Sequence, residues 1–102
     1  MGNSVLKKNY TKTGKTCRVT FKLLAEINAE KAALCGDFNG WDTSVNPMKK
    51  LADGSFSVTV SLGAGSTYRF RYLLDNERWE NDWEADAYEP NEFGSDDSVV
   101  AV

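Results

Sequence analysis

Three stretches of this chain alternate apolar and polar residues with a period of two, and that pattern limits the possible fold more than any other feature. Cys17, Val19, Phe21 and Leu23 fall on one side and Arg18, Thr20 and Lys22 on the other. Phe56, Val58, Val60 and Leu62 alternate with Ser57, Thr59 and Ser61, and Tyr68, Phe70, Tyr72 and Leu74 face away from Arg69 and Arg71. Successive side chains of an extended chain point to opposite sides, so each stretch reads as a half-buried strand. Lys31 to Cys35 reads as a shorter, more buried strand, and Ser98 to Val102 as a closing one. Asp53-Gly54, Gly63-Ala64-Gly65 and Asp75-Asn76 supply turns between them. Strands recurring every eight to twelve residues or so, joined by polar turns, predict two antiparallel sheets packed face to face. Leu24 to Ala33 is the one helix-capable stretch; a helix that short is marginal, and a loop around Asn28 is an equal expectation. Glu80 to Asp97 has turn residues, scattered aromatics and no period, and so long an irregular stretch is commonly functional.

At 102 residues the chain is long enough for one core but not for a second, catalytic domain. It has no histidine, which excludes His-containing zinc sites, Ser-His and Cys-His nucleophile pairs and the usual imidazole base. Cys17 and Cys35 read as small buried thiols, with a disulfide as the minor alternative. The formal net charge of −3 is unevenly spread: six of the twelve basic residues precede Glu26, and ten of the fifteen acids lie from Asp75 to Asp97, so the two ends can attract each other. Residues 1–15 read as a basic, flexible arm and residues 16–102 as the sandwich. Lys7, Lys8, Lys12 and Lys15 lack the interleaved aromatics of a nucleic-acid tail, and the acidic remainder repels phosphates, so neither nucleic acid nor membrane is an expected partner. The N-terminus has no apolar stretch of the signal-peptide kind, which makes the cytoplasm the expected location. Met1-Gly2-Asn3-Ser4-Val5-Leu6 begins like a myristoylation signal but has Leu6 where Ser or Thr is required.

Two motifs place large aromatics where a core cannot fully use them: Gly36-Asp37-Phe38-Asn39-Gly40-Trp41-Asp42 and Arg78-Trp79-Glu80-Asn81-Asp82-Trp83. Small and turn-forming residues before Trp41 allow a sharp reversal as an apolar strand ends, which turns the indole outward. Each tryptophan either caps an open end of the core or offers a stacking surface, and two of them beside polar residues favour stacking. Asp37 and Asn39 read as turn formers that bond their own backbone. Arg71, near Trp79, is either a ligand contact or half of an ion pair with a neighbouring strand. Glu80, Asp82, Glu84 and Asp86 recur at every second residue, which marks a solvated face more readily than a calcium site, since the glycine of the twelve-residue calcium loop is absent. A glycosidase pair among them would need a cleft that a small sandwich does not offer. No catalytic residue, metal or cofactor is expected.

The motif around Trp41, together with Tyr68-Arg69-Phe70-Arg71-Tyr72, Asp75, Trp79, Asp82 and Phe93-Gly94-Ser95-Asp96-Asp97-Ser98-Val99-Val100, resembles the family-48 carbohydrate-binding modules. These include the glycogen-binding domain of the AMP-activated kinase beta subunit and the N-terminal early-set domains of isoamylase and glycogen-branching enzymes. The resemblance runs from about Cys17 to Val102. It implies an immunoglobulin-like, early-set antiparallel β-sandwich that binds α-glucan (glycogen, starch or maltooligosaccharide) without catalysis. It also implies that Trp41 and Trp79 cradle the sugar, that Arg71 bonds its hydroxyls, and that Phe93, Ser95 and Asp97 contribute from the loop before the last strand. Trp83, beside Trp79, is a further candidate. Two positions depart from the family: Asp97 stands where Asn is usual, exchanging an amide donor for an acceptor-only group, and Trp83 stands where proline is usual. The expected role is a stand-alone or targeting module that brings itself, a partner protein or a glucan-active enzyme to the polymer. The alternative is a protein-interaction domain of the same fold without sugar affinity.

Overall fold

The computed structural model describes residues 4–102, in which the alternating stretches become strands. In chain order these are β1 (Ser4–Tyr10), β2 (Thr16–Leu23), β3 (Ala32–Gly36), β4 (Lys49–Lys50), β5 (Phe56–Gly63), β6 (Thr67–Leu74), β7 (Arg78–Glu80), β8 (Ala87–Pro90) and β9 (Asp96–Ala101). One sheet runs β1-β2-β5-β4 and the other β3-β6-β9-β8, with every neighbouring pair antiparallel. Strand β7 shares an edge of β6 with β9: Leu73 lies opposite Trp79, and Phe70 opposite Ser98. The two sheets pack as an immunoglobulin-like, early-set sandwich.

The period of two decides which residues meet. Cross-strand partners share a face, so Val19, Phe21 and Leu23 of β2 line up with Val60, Val58 and Phe56 of β5, while Leu34 of β3 pairs with Tyr72 of β6. These two inner faces form the core, where Phe21 meets Phe70 edge-on at 5.0 Å between ring centroids and Phe70 meets Tyr72 at 5.7 Å. Leu24 to Ala33 resolves as a 3-10 turn, Ala25–Ile27, then a loop, and its last two residues open β3, in keeping with a stretch too short to hold a helix. The Asp75-Asn76 turn has both residues in the left-handed region, at φ 53° and 60°, the geometry that matches hairpin twist. The Asp75 carboxylate also accepts the main-chain N–H groups of Glu30 and Lys31 at 2.8 and 2.9 Å.

The sequence reading is corrected at three places. Ser4–Tyr10 is not an arm but a strand paired along its length with β2, because its alternate residues Ser4 and Leu6 continue the inner face. Gly2, the residue a myristoylation signal would modify, lies outside the described residues. The segment from Glu80 to Asp97 is not wholly irregular, since it contains β8. Finally, its alternating acids do not make one solvated face. Asp82 is fully buried and accepts hydrogen bonds from Ser4 Oγ (2.6 Å), Tyr72 Oη (2.6 Å) and the main-chain N–H of Glu84 (2.7 Å). Asp86 pairs with Lys8 at 2.7 Å, so the basic and acidic ends do attract each other at this point. Burying a carboxylate is tolerable only where its lone pairs are met, and Asp82 thereby ties β1, β6 and the loop after β7 into one unit.

Candidate functional site

Because Phe70, Tyr72 and Leu74 point inward, Arg69, Arg71 and Leu73 of β6 must point outward from the second sheet. Cys35 of β3 lies opposite Arg71, and Ala33 opposite Leu73, on this outer face. Ala33 and Cys35 are small, which leaves a shallow floor. Over it folds Trp41. The 3-10 turn Asp37–Asn39 ends at Gly40 (φ 65°), and Trp41 itself is left-handed (φ 60°), so the chain doubles back and lays the indole on Ala33, Cys35 and Leu73. Asn39 holds this turn as expected: its Oδ1 accepts the Gly36 N–H at 3.0 Å, and its Nδ2 donates to the Leu34 carbonyl at 2.9 Å. Gly36 is required for a different reason, since a Cβ there would run into the Arg69 carbonyl and the Phe38 ring. Trp41 is therefore half-buried, with one ring face on the sheet.

Trp79 reaches the same face from β7. It remains 42% exposed, and the Arg71 guanidinium lies 5.8 Å from its ring centroid, within cation–π range. Between the two indoles is a groove of about 610 Å³, whose lining includes Trp41, Arg71, Trp79, Asn91, Phe93 and Asp97. Phe93 is 84% exposed at the tip of a tight turn between β8 and β9. Asn91 builds that turn: its Oδ1 accepts the N–H groups of Phe93 (2.9 Å) and Ser95 (3.2 Å), and its own N–H donates to the Ser95 carbonyl (2.8 Å).

Charge in the groove is asymmetric. Arg69 donates to Glu89 at 2.6 Å and to Asp97 at 3.4 Å, so it takes the ion-pair role that the sequence left open for Arg71. Among the described residues the Arg71 side chain has no carboxylate partner, and its Nε–H is buried without an acceptor. A buried donor without a partner costs about 1–3 kcal/mol, a cost that a fold tends to carry at functional positions. Asp97 lines the groove but is nearly buried, with Asn91 Nδ2 at 3.1 Å on one oxygen and Arg69 on the other. Under the Trp41 indole, burial and then the nearby Asp42 push the Cys35 thiol above its ordinary pKa, which favours the thiol over the thiolate; both cysteines are free.

Of the seven residues read from the sequence, five line this groove: Trp41, Arg71, Trp79, Phe93 and Asp97. Ser95 sits in the Asn91 turn with its hydroxyl 3.1 Å from Asn91 Nδ2, and it does not line the groove. Trp83 is 60% exposed and does not line the groove. Asp82 turns inward between the two tryptophans, and the Trp83 main-chain N–H bonds Ser4 Oγ at 3.1 Å. Arg69 and Asn91 were missed. Arg69 shares its strand face with Arg71 and was legible from parity, whereas Asn91 was one polar turn residue among many. No group of three or more His, Cys, Asp or Glu among the described residues is arranged to hold a metal ion. No helix among them is long and apolar enough to cross a membrane.

Comparison with known proteins identifies a family and a curated relative. The profile described as "Carbohydrate-binding module 48 (Isoamylase N-terminal domain)" matches residues 6–89. A 1,4-alpha-glucan branching enzyme of Aquifex aeolicus (strain VF5) is 36% identical over 66 residues, which is 64% of this chain and 10% of that enzyme. The chain thus spans about a tenth of the length of that relative.

Proposed function

This chain belongs to the carbohydrate-binding module 48 family, and from that premise we propose that its groove is a non-catalytic binding site for an α-glucan such as glycogen, starch or a maltooligosaccharide. The observation that carries this reading is the convergence of two indole faces, an exposed phenyl ring and a carboxylate-free guanidinium on one groove. A glucopyranose ring has a face of C–H groups bounded by hydroxyls. Trp41 and Trp79 cover the apolar faces while the Arg71 guanidinium meets the hydroxyls, the division of labour usual in small-molecule sites. The branching enzyme of Aquifex aeolicus is named for a 1,4-α-glucan, which points to the same polymer class.

If each indole removes about 100 Å² of apolar area counted over both partners, two stacks are worth roughly 5 kcal/mol. Loss of rigid-body freedom on association costs about 4–15 kcal/mol, so hydrogen bonds supply the surplus and Kd is weaker than about 10 µM for a short oligosaccharide. Tight retention therefore depends on the repeated sites of a polymer. The module acts alone or brings a partner or glucan-active enzyme to the polymer. Native gels cast with glycogen, with soluble starch, with a soluble cellulose derivative and with no polymer test this directly. Retardation by the α-linked polymers alone is expected, because a curved chain touches both indoles and a flat β-linked chain meets one. Equal migration in all four gels would refute the reading.

A further inference from the structure

The two walls of the groove come from distant parts of the chain: Trp41 follows β3, and Phe93 lies between β8 and β9. Both are fastened to Arg69 of β6, one through its main chain and the other through its side chain. On one side, Asp37 Oδ2 accepts the Arg69 main-chain N–H at 2.9 Å, while Asp37 Oδ1 accepts the Trp41 indole Nε1–H at 3.3 Å. On the other side, the Arg69 guanidinium donates to the Pro90 carbonyl at 3.2 Å and pairs with Glu89 and Asp97, which flank the turn that carries Phe93. The indole N–H is the one polar group of the Trp41 side chain, and it is spent on the protein, so that side chain meets a ligand through its ring face.

We infer that Asp37 and Arg69 are positioning residues that fix the separation and tilt of the two walls before the ligand arrives. Contrary to the sequence reading, the bonds of the Asp37 carboxylate go to Arg69 and Trp41 and not to the backbone of its own turn, and Arg69 does more than neutralise Asp97. A wall that is already in place costs less to order on binding, which raises affinity without adding a ligand contact. The Asp37 bonds are solvent-exposed, so each is worth about one ordinary hydrogen bond, and its loss corresponds to roughly a fivefold change in Kd. This inference takes the glucan reading for its ligand, but the wall geometry can be measured without one.

The test uses the whole chain labelled with ¹⁵N, whose three tryptophans give three indole N–H signals, assigned by single Trp→Phe variants. Asp37→Ala is expected to shift the Trp41 indole signal and speed its solvent exchange, while the Trp79 and Trp83 signals stay in place. Asp37→Asn, which keeps one acceptor oxygen, should restore most of the Trp41 signal and serves if the alanine variant fails to fold. Arg69→Met should leave the Trp41 signal unchanged. Maltoheptaose titration should show Kd raised about fivefold by Asp37→Ala and by Arg69→Met. Phe93→Ala should then add little to Arg69→Met, because that wall is already loose. An unmoved Trp41 signal in both Asp37 variants overturns the role of Asp37, and full additivity of Arg69→Met with Phe93→Ala overturns that of Arg69. If the unaltered chain binds no glucan, the functional reading fails. The indole signal still decides for Asp37, and the line widths of the Phe93 turn in Arg69→Met decide for Arg69.

Discussion

Trp79→Ala should separate binding from folding. Trp79 lies on a three-residue strand paired only with β6, and two-fifths of it is open to solvent, so truncation removes little from the core. What the fold loses is a partial contact with Leu73 and the cation–π contact with Arg71, together about 1–1.5 kcal/mol. What the groove loses is one whole stacking face: about 100 Å² at about 25 cal/mol/Å² is roughly 2.5 kcal/mol, or about a 70-fold rise in Kd. A site already in the tens of micromolar then falls into the millimolar range, and retardation by glycogen disappears. The assay is calorimetric titration with maltoheptaose beside a thermal melt for each variant, with Trp79→Phe expected to recover part of the affinity. Trp41→Ala is the informative contrast. Its indole covers Ala33, Cys35 and Leu73, so the same truncation should cost about 2–4 kcal/mol of stability as well as binding, and should open Cys35 to a thiol reagent. Binding by Trp79→Ala within about threefold of the unaltered chain, with its fold intact, would refute the assignment of Trp79 as a platform.

Asp82→Ala should cost at least about 3 kcal/mol in urea unfolding, because Ser4 Oγ, Tyr72 Oη and the Glu84 N–H all lose their buried acceptor; a cost below about 1 kcal/mol would show that the site rehydrates. Asp97→Asn restores the residue usual in the family but removes half of an ion pair with Arg69, so glucan affinity measured by calorimetry should stay level or fall; a clear gain would mean that Asp97 faces the sugar rather than the arginine. Several carboxyls are held below their ordinary pKa: Asp75 by the Lys31 and Glu30 main-chain N–H groups, Asp42 by Ser44 and Asp53 by Ser55. A depressed carboxyl contributes stability above its unfolded value, near 3.9, and loses it as pH falls through the folded value. The melting temperature should therefore be level from about pH 6 to 8 and decline below about pH 4, less steeply in Asp75→Asn. Glucan affinity over that upper range should be flat in pH, since no histidine titrates, and indifferent to salt and EDTA; a steep salt dependence would point to a charged partner.

The sandwich was legible because a period of two in β2, β5 and β6 assigns every side chain to a face before any partner strand is known. The same parity put Arg69 and Arg71 outside and Phe70 and Tyr72 inside, and so it marked the sheet face on which the groove lies. Local chemistry was legible too: the Gly-Asp-Phe-Asn-Gly run had to turn, and Asn39 bonds its own backbone as such residues do. Charge was legible only as a total for each segment. That Lys8 finds Asp86 and that Arg69, not its neighbour Arg71, finds Glu89 and Asp97 depends on which strands become adjacent. Nor does the sequence tell that Trp79 lines the groove and Trp83 does not. The two are four residues apart and alike in composition, but Asp82 between them is drawn into the interior by Ser4, 78 positions away, and by Tyr72. Long-range pairing also made Ser4–Tyr10 a strand, since the alternation of Ser4 and Leu6 is too short to mark one until the open edge of β2 pairs with it. Period and turn chemistry are properties of neighbouring residues and can be read in one dimension. Burial of a carboxylate, choice of an ion partner and the joining of two walls through Arg69 need residues far apart in the chain to meet, and only the folded structure decides those.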